Sequence, residues 1–275
     1  MTETMEKTNA PVYYAGRGGF RGFTGNGLKL FAMAVMLIDH LAYAWHIDDV
    51  SLPVYSAMRL IGRFAFPVFA YMIAVGARHT HDIRKYLLRL FAFALVSEIP
   101  FDLAFNITRP GLPVESSYQN VFFTLFLGLL SLAALRWFQD RLGRWYMVPA
   151  VAVQLLCMLA AEFLNTDYAS AGVLSIFLFY VFADKKQAVR APGFALAIFA
   201  AALDLMAIPY ALPVGDWRAV VNMAEVPALM ALPLILLHNG QRGTKMNKWV
   251  FYAFYPGHLL VLYLLWLAVG ARLLS

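Results

Sequence analysis

Six apolar stretches of the chain carry ionisable side chains where a membrane-spanning helix would bury them. The residues are Asp39 and His40, Arg59 and Arg63, Glu98 and Asp102, Asp204, Glu225, and His258. A charge at the centre of a bilayer costs at least about 2.5 kcal/mol, so such residues mark a functional site by default. Imidazole is the usual general base near neutral pH, and guanidinium groups stabilise developing negative charge. The set therefore indicates proton-transfer chemistry inside a membrane.

The same residues are predicted to lie at a common depth. With a rise of about 1.5 Å per residue, His40, Arg63, Glu98, Asp204 and His258 lie about 14–21 Å from the ends of their helices. The hydrocarbon layer is about 30 Å thick. We therefore expect five helices to meet in one layer at or just outside the midplane.

Helical spacing also predicts how the charges pair. Arg59 and Arg63 are four residues apart and share a helix face, as do Glu98 and Asp102. Pairing these arginines with Glu98, Asp102 or Asp39 would remove most of the cost of burying them. A set of purely structural ion pairs between helices is the alternative interpretation.

The base assigned to this layer is His40, with His258 as a second candidate. Asp39 and His40 are adjacent, so their side chains diverge by about 100° on a helix. We therefore expect Glu98, from another helix, to orient the His40 imidazole, while Asp39 pairs with an arginine. The sequence has no HExxH motif and no close His/Asp ligand spacing, so no metal site is predicted.

A second group of residues opens the last apolar run. Lys248, Tyr252 and Tyr255 share one helix face, and His258 continues it toward mid-membrane. This pattern could hold a phosphate-bearing cofactor with its reactive end pointing inward. An ordinary interfacial aromatic belt with a flanking lysine explains the same spacing equally well.

The elements that must position these residues are membrane helices. The chain has 275 residues, of which 61% are hydrophobic and only 14% charged, and its mean hydropathy is +0.65. These values indicate an all-α, polytopic integral membrane protein with lipid as its main solvent. Nine apolar runs are long enough to span a bilayer, with eight to ten spans left open because the fifth and sixth are separated only by a tight turn. They cover 28–46, 53–76, 84–106, 119–137, 145–162, 168–183, 193–211, 220–238 and 249–271.

Placing the N-terminus in the cytoplasm puts 17 of the 22 Lys and Arg residues on the inner side. We therefore interpret the net charge of +6 as a set of topology determinants and predict no nucleic-acid partner. The predicted organisation is a flexible cytoplasmic tail over 1–27 and a single transmembrane domain over 28–275. The lone cysteine, Cys157, excludes an intramolecular disulfide.

Six segments together resemble the TraX family, whose name comes from a conjugal-transfer protein associated with N-terminal acetylation of pilin. Its most specific motifs are the Asp39–His40 pair, Arg59-x-x-Gly62-Arg63-x-x-Phe66-Pro67, the SEIPFD run at 97–102, and the YPGH run at 255–258. The segments are 28–45, 59–80, 85–105, 120–130, 167–174 and 247–260.

The resemblance implies a membrane acyltransferase that moves an acetyl group from cytosolic acetyl-CoA to an extracytoplasmic or membrane-embedded acceptor. By resemblance, His40 is the catalytic base, and Arg59 and Arg63 help to hold the donor. The expected location is the bacterial inner membrane. The expected acceptor is a pilin or an envelope saccharide, and a homo-oligomer is left open. A proton- or ion-coupled transporter and a non-catalytic assembly factor are the alternative functions, because buried charges also build proton relays and specify helix packing.

Overall fold

A computed structural model describes residues 22–106 and 117–270. Helices make up nearly all of this part of the chain, and its only β-type pairings are three isolated bridges. The protein is therefore all-α, as predicted. The α-helices are α1 Gly25–Ala44, α2 Ile47–Val50, α3 Leu52–Gly62, α4 Ala65–His79, α5 Ile83–Phe105, α6 Val121–Leu142, α7 Met147–Phe163, α8 Ala169–Phe182, α9 Gln187–Ala200, α10 Ile208–Ala211, α11 Trp217–Val220, α12 Leu232–Leu236 and α13 Lys248–Leu265.

Within the described ranges, four helical stretches are long and apolar enough to cross a membrane: Gly25–Ala44, Leu52–His79, Val121–Trp145 and Lys248–Val269. Helix α5 has 23 residues, a sufficient length, but it also carries several charges. Helices α7, α8 and α9 are apolar and shorter. The four long helices support a membrane protein, but they fall short of the nine predicted spans.

The second predicted span contains a break. Helix α3 ends at Gly62 and α4 begins at Ala65, so the chain turns at Arg63 and Phe64. Pro67 has no backbone N–H to donate to the Arg63 carbonyl, which removes the hydrogen bond that would continue the helix. The break points the Arg63 side chain toward neighbouring helices instead of lipid.

The seventh and eighth predicted spans, 193–211 and 220–238, are not continuous helices. Helix α9 ends at Ala200, and the chain then runs through short turns before the 3₁₀-helix Val226–Ala231 and α12 lead it back. Four prolines at 209, 213, 227 and 233 punctuate this stretch, and each removes a helical donor. The hydropathy of these runs correctly predicted that part of each run is buried. It does not show where prolines interrupt a helix.

Helix α6 lies at the centre of the fold and contacts α4, α5, α7 and α8. Its Gly128 packs against Ile176 of α8, and a side chain at that position would overlap the isoleucine. Helices α1, α5 and α13 pack along another side, while α4 packs against α1 and α8. This arrangement brings the charged positions of α1, α3 and α5 to one end of the bundle.

The boundary predicted between tail and first span lies a little too late in the chain. Residues 1–21 of the predicted tail are outside the described residues. Helix α1 begins at Gly25, where the Thr24 hydroxyl caps it by accepting from Gly27 N–H. Phe23 pairs with the 237–239 segment through backbone hydrogen bonds. The residues just before α1 are therefore part of the folded structure.

Candidate functional site

Among the described residues, one cavity lies toward each end of the helix bundle. The first, about 440 Å³, is lined by the beginnings of α1, α5 and α13 and the end of α4. The second, about 530 Å³, is lined by the later parts of α1 and α5 and the beginnings of α4 and α6. We call the first the cationic cavity, after Lys29, Arg89, Arg242 and Lys248. The second is the histidine cavity, because His40 lines it.

His40 and His258 are in direct contact. His40 Nδ1 lies 2.8 Å from His258 Nε2, and the two rings stack with centroids 5.0 Å apart. His258 Nδ1 lies 2.8 Å from the carbonyl oxygen of Phe254. Because a carbonyl only accepts, His258 Nδ1 must be the donor, which leaves Nε2 of a neutral ring as an acceptor. His40 Nδ1 then donates to it, and His40 Nε2 carries the free lone pair that a general base requires.

Two arginines and two acids in the wall of the histidine cavity form ion pairs with one another. Arg59 Nη1 donates to Asp39 Oδ2 at 2.7 Å, and Arg63 Nη2 lies 3.6 Å from Asp39 Oδ1. Arg63 Nη1 also pairs with Glu225. Asp39 therefore pairs with an arginine as expected, while Glu225 takes a place that the sequence analysis had given to Glu98 or Asp102.

Glu98 does not orient His40 in the part of the chain that the structure describes. Asn120 Nδ2 donates to Glu98 Oε2, and it also donates to the Ala94 carbonyl at 2.9 Å. Asn120 is the N-cap of α6, so this contact fixes the start of that helix against α5. The residue that orients the His40 imidazole is His258, which sequence spacing had offered only as a second base.

Asp102 lines the histidine cavity, whereas Asp204 does not. Asp102 is buried. Asp204 is exposed and caps the 3₁₀-helix Leu205–Ala207, where its carboxylate accepts from two backbone N–H groups. It is therefore a helix cap, because helix α9, in the predicted seventh span, ends at Ala200. Of the other positions predicted to share one layer, His40 and Arg63 line the histidine cavity, whereas Glu98 and His258 do not.

A tight turn between α7 and α8 completes the histidine cavity; the sequence predicted this turn but not its place in the site. Tyr168 has a φ of 63°, in the left-handed region that costs a non-glycine residue energy. Thr124 holds the turn by donating to Thr166 at 2.9 Å, and Tyr118 Oη donates to Asp167 Oδ1 at 2.8 Å. The turn places Asp167 and Tyr168 in the cavity wall. Segments 120–130 and 167–174 carried the family resemblance, and that was the available signal.

The cationic cavity collects side chains that the sequence analysis treated mainly as topology determinants. Of the predicted cofactor-binding residues, Lys248, Tyr252 and Tyr255 line it, whereas Arg59 and Arg63 line the histidine cavity. Tyr252 stacks on Phe93 with ring centroids 5.2 Å apart. The other basic residues in its wall are Lys29, His79, Arg89, His238 and Arg242. Cations beside aromatic rings suit a ligand with phosphate groups and a planar base.

Comparison with known proteins decides the family. The model of the TraX protein family matches residues 24–266. The chain belongs to the TraX family. Both cavities fall within the match, so the TraX site described here is built from family segments. A relative from Dichelobacter nodosus, described as "Probable fimbrial assembly protein FimC, serogroup H1", is 29% identical over 247 residues, which cover 87% of this chain and 94% of the relative. No solved structure matches this TraX protein significantly.

Proposed function

We propose that this TraX protein transfers an acetyl group from acetyl-CoA in the cytosol to an acceptor on the other side of the membrane. The observation that carries the proposal is the position of His40. Its free Nε2 belongs to a side chain that lines the histidine cavity, and five residues of that cavity's wall also line the cationic cavity. A base beside this shared wall can act on an acceptor in the histidine cavity and on a donor that enters from the cationic cavity.

The proposed reaction begins with the acceptor, an amine or hydroxyl, in the histidine cavity. His40 Nε2 removes its proton as the acceptor atom attacks the thioester carbonyl carbon. The bond between that carbon and the CoA sulfur then breaks, and the thiolate takes the proton from His40. The products are the acetylated acceptor and free CoA thiol. His258 keeps His40 in the required tautomer by accepting from its Nδ1.

Arg59 is the residue best placed to stabilise the transition state. Its side chain is 28% exposed and pairs with Asp39 through Nη1, whereas the side chain of Arg63 is 8% exposed and pairs with two acids. An arginine has five N–H donors, so Arg59 keeps donors for the oxygen of the thioester. We assign Arg63 to holding Asp39 and Glu225 in place. Arg59 and Arg63 were expected to hold the acetyl-CoA donor; this role is instead proposed for residues of the cationic cavity.

We infer that the cationic cavity faces the cytosol, because the positive-inside rule places basic helix ends there. Its volume of about 440 Å³ is within the usual range for a small-molecule site. Lys248 and Arg242 are proposed to hold the phosphates of acetyl-CoA, and Tyr252 to contact its adenine or pantetheine arm. The finer topology belongs to the same proposal: about nine crossings of a bacterial inner membrane, three of them interrupted at prolines, with the N-terminus in the cytosol.

The proposed acceptor is a pilus or fimbrial subunit. The Dichelobacter relative is named for fimbrial assembly, and the family resemblance implies pilin acetylation. A subunit held in the membrane before assembly could present its amino terminus to the histidine cavity. An envelope saccharide is the second acceptor class, and mass spectrometry of envelope components from a knockout strain distinguishes the two.

The test is acetyl transfer by purified protein, with labelled acetyl-CoA and an N-terminal pilin peptide. We expect His40→Ala to lower the rate by about 10²–10⁴-fold, the usual contribution of a general base. His81→Ala is the matched control, because His81 is exposed and lines neither cavity. A His40→Ala protein with the wild-type rate would remove His40 from the mechanism.

A further inference from the structure

The two cavities meet at a ring of apolar and aromatic side chains. The residues that line both cavities come from four helices, α1, α4, α6 and α13. We call them the junction ring: Met36, Phe69, Val121, Leu125 and Tyr255. A group that moved from the cationic cavity to His40 through this shared wall would pass between these side chains.

Three of the five residues of the junction ring are tightly packed. Met36 is 7% exposed, Leu125 6% and Tyr255 4%, even though each borders two cavities. The Tyr255 ring packs edge-on against Phe122, with centroids 5.2 Å apart, and against His40, with centroids 6.0 Å apart. Side chains held on several sides cannot move apart without losing contacts, because protein interiors are close-packed. Widening the ring would therefore cost packing contacts.

Beyond the junction ring the surroundings change from apolar to charged. Asp39, Arg59 and Arg63 line the histidine cavity directly after the ring. An acyl chain longer than that of acetyl must either widen the ring or project its extra carbons among these charges. Extra apolar carbons would gain little there. They would also displace the partners that these charged side chains need when buried.

We propose that the junction ring determines which acyl groups this protein transfers, by admitting the two-carbon acetyl group and rejecting longer or branched ones. The proposal rests on the function proposed above and adds the residues that select the donor. Discrimination between substrates that differ by one methylene in an apolar pocket is about 10–200-fold. Opening the ring is therefore expected to change donor selectivity by at least about tenfold.

The experiment measures kcat/KM for acetyl-, propionyl-, butyryl- and isobutyryl-CoA with one acceptor peptide. Leu125→Ala opens the junction ring, and Phe69→Leu opens it at a second position with a milder change. The matched control is Leu129→Ala, one turn further along α6, where the leucine is fully buried and lines neither cavity. The control shares the substitution and the loss of core packing but leaves the ring intact.

We expect the ratio of butyryl to acetyl transfer to rise at least about tenfold in Leu125→Ala and in Phe69→Leu, and to stay at the wild-type value in Leu129→Ala. An unchanged ratio in folded Leu125→Ala and Phe69→Leu proteins would overturn the proposal, as would an equal rise in Leu129→Ala. A wild-type protein that transfers no acyl group from any of the four donors would overturn the proposed function itself. That result differs from a failure of selectivity alone.

Discussion

At the scale of single residues, the proposed chemistry depends on a pair of histidines whose hydrogen bonds run in one direction. The Phe254 carbonyl fixes the donor atom of His258, His258 fixes the donor atom of His40, and the chain ends at the free Nε2 of His40. A serine-protease triad uses a carboxylate for the same purpose of holding one tautomer. Here a neutral imidazole does so, which adds no further charge to the site.

The histidine pair predicts a division of labour between the two rings. We expect His258→Ala to lower kcat by about 10²-fold, the lower end of general-base effects, because His40 loses the acceptor that fixes its tautomer. KM for acetyl-CoA should stay near the wild-type value, since His258 lines neither cavity. Steady-state kinetics beside His40→Ala test this. A rise in KM with an unchanged kcat would assign His258 to donor binding instead.

The ion pairs of the histidine cavity predict a stability effect that depends on burial. Glu225→Gln removes one of the two carboxylates that pair with Arg63, whose side chain is 8% exposed. The positive charge of Arg63 is then less well balanced. Breaking a buried pair costs up to about 3–5 kcal/mol. Thermal unfolding in detergent is expected to show a large loss.

The control for this prediction is Asp184→Asn, which breaks the pair between Arg78 and Asp184. The Asp184 side chain is 67% exposed, and exposed pairs contribute about 0–1 kcal/mol. The two variants should therefore differ clearly in melting temperature. Equal losses would show that burial does not set the strength of the Arg63 pair.

At the scale of elements, the site forms where helices end or break. The break between α3 and α4 turns Arg63 inward, the turn before α8 presents Asp167, and the end of α9 brings Ala201 to the cavity wall. In continuous helices the backbone N–H and C=O groups would bond to one another, and fewer polar groups would face one cavity. The breaks supply the polar lining that the proposed reaction would require.

Gly62 tests how closely α3 must approach α1. A Cβ at this position would overlap the Asp39 carboxylate, so Gly62→Ala should displace Asp39 from Arg59 and lower both activity and stability. Gly257→Ala is the control, because a Cβ on this α13 glycine meets nothing within 4 Å. Replacing a helical glycine with alanine is worth about 0.5–1 kcal/mol in favour of the helix, so Gly257→Ala should be neutral or slightly stabilising. Equal behaviour of the two variants in activity and melting assays would contradict the close contact.

The sequence predicted those features of the site that depend on local periodicity. Asp39 facing an arginine and the alignment of Lys248, Tyr252 and Tyr255 follow from helical spacing, and both are present. The contact between His40 and His258 joins residues 218 positions apart, so no local pattern could specify it. Glu98 and Asp204 were misplaced for a related reason. Their partners, an N-cap amide and the N–H groups of a 3₁₀ turn, appear only once the ends of the helices are known.

At the scale of the whole molecule, two cavities with different chemistry lie end to end. The cationic cavity is lined by basic and aromatic residues, and the histidine cavity by an acid–arginine cluster with a base. Such an arrangement separates the donor, which is anionic and cytosolic in our proposal, from the acceptor.

The cationic cavity predicts a donor-binding defect without a chemical one. Lys248→Gln and Arg242→Gln each remove a charge from its wall, and hydrogen bonds to charged groups contribute about 1.5–3 kcal/mol. We therefore expect KM for acetyl-CoA to rise at least about tenfold while kcat changes little. Lys185→Gln is the control, because Lys185 is exposed and lines neither cavity. A fall in kcat with constant KM would contradict the assignment.

The most direct test of transfer through the membrane is a sidedness measurement in sealed proteoliposomes. The acceptor peptide is trapped inside, and acetyl-CoA is added outside. The orientation of the protein is read by impermeant-maleimide labelling of Lys185→Cys in a Cys157→Ser background. We predict acetylation of the trapped peptide in proportion to the protein whose residue 185 faces outward, and loss of this signal in His40→Ala. Acetylation only when donor and acceptor share one side of the membrane would contradict the account.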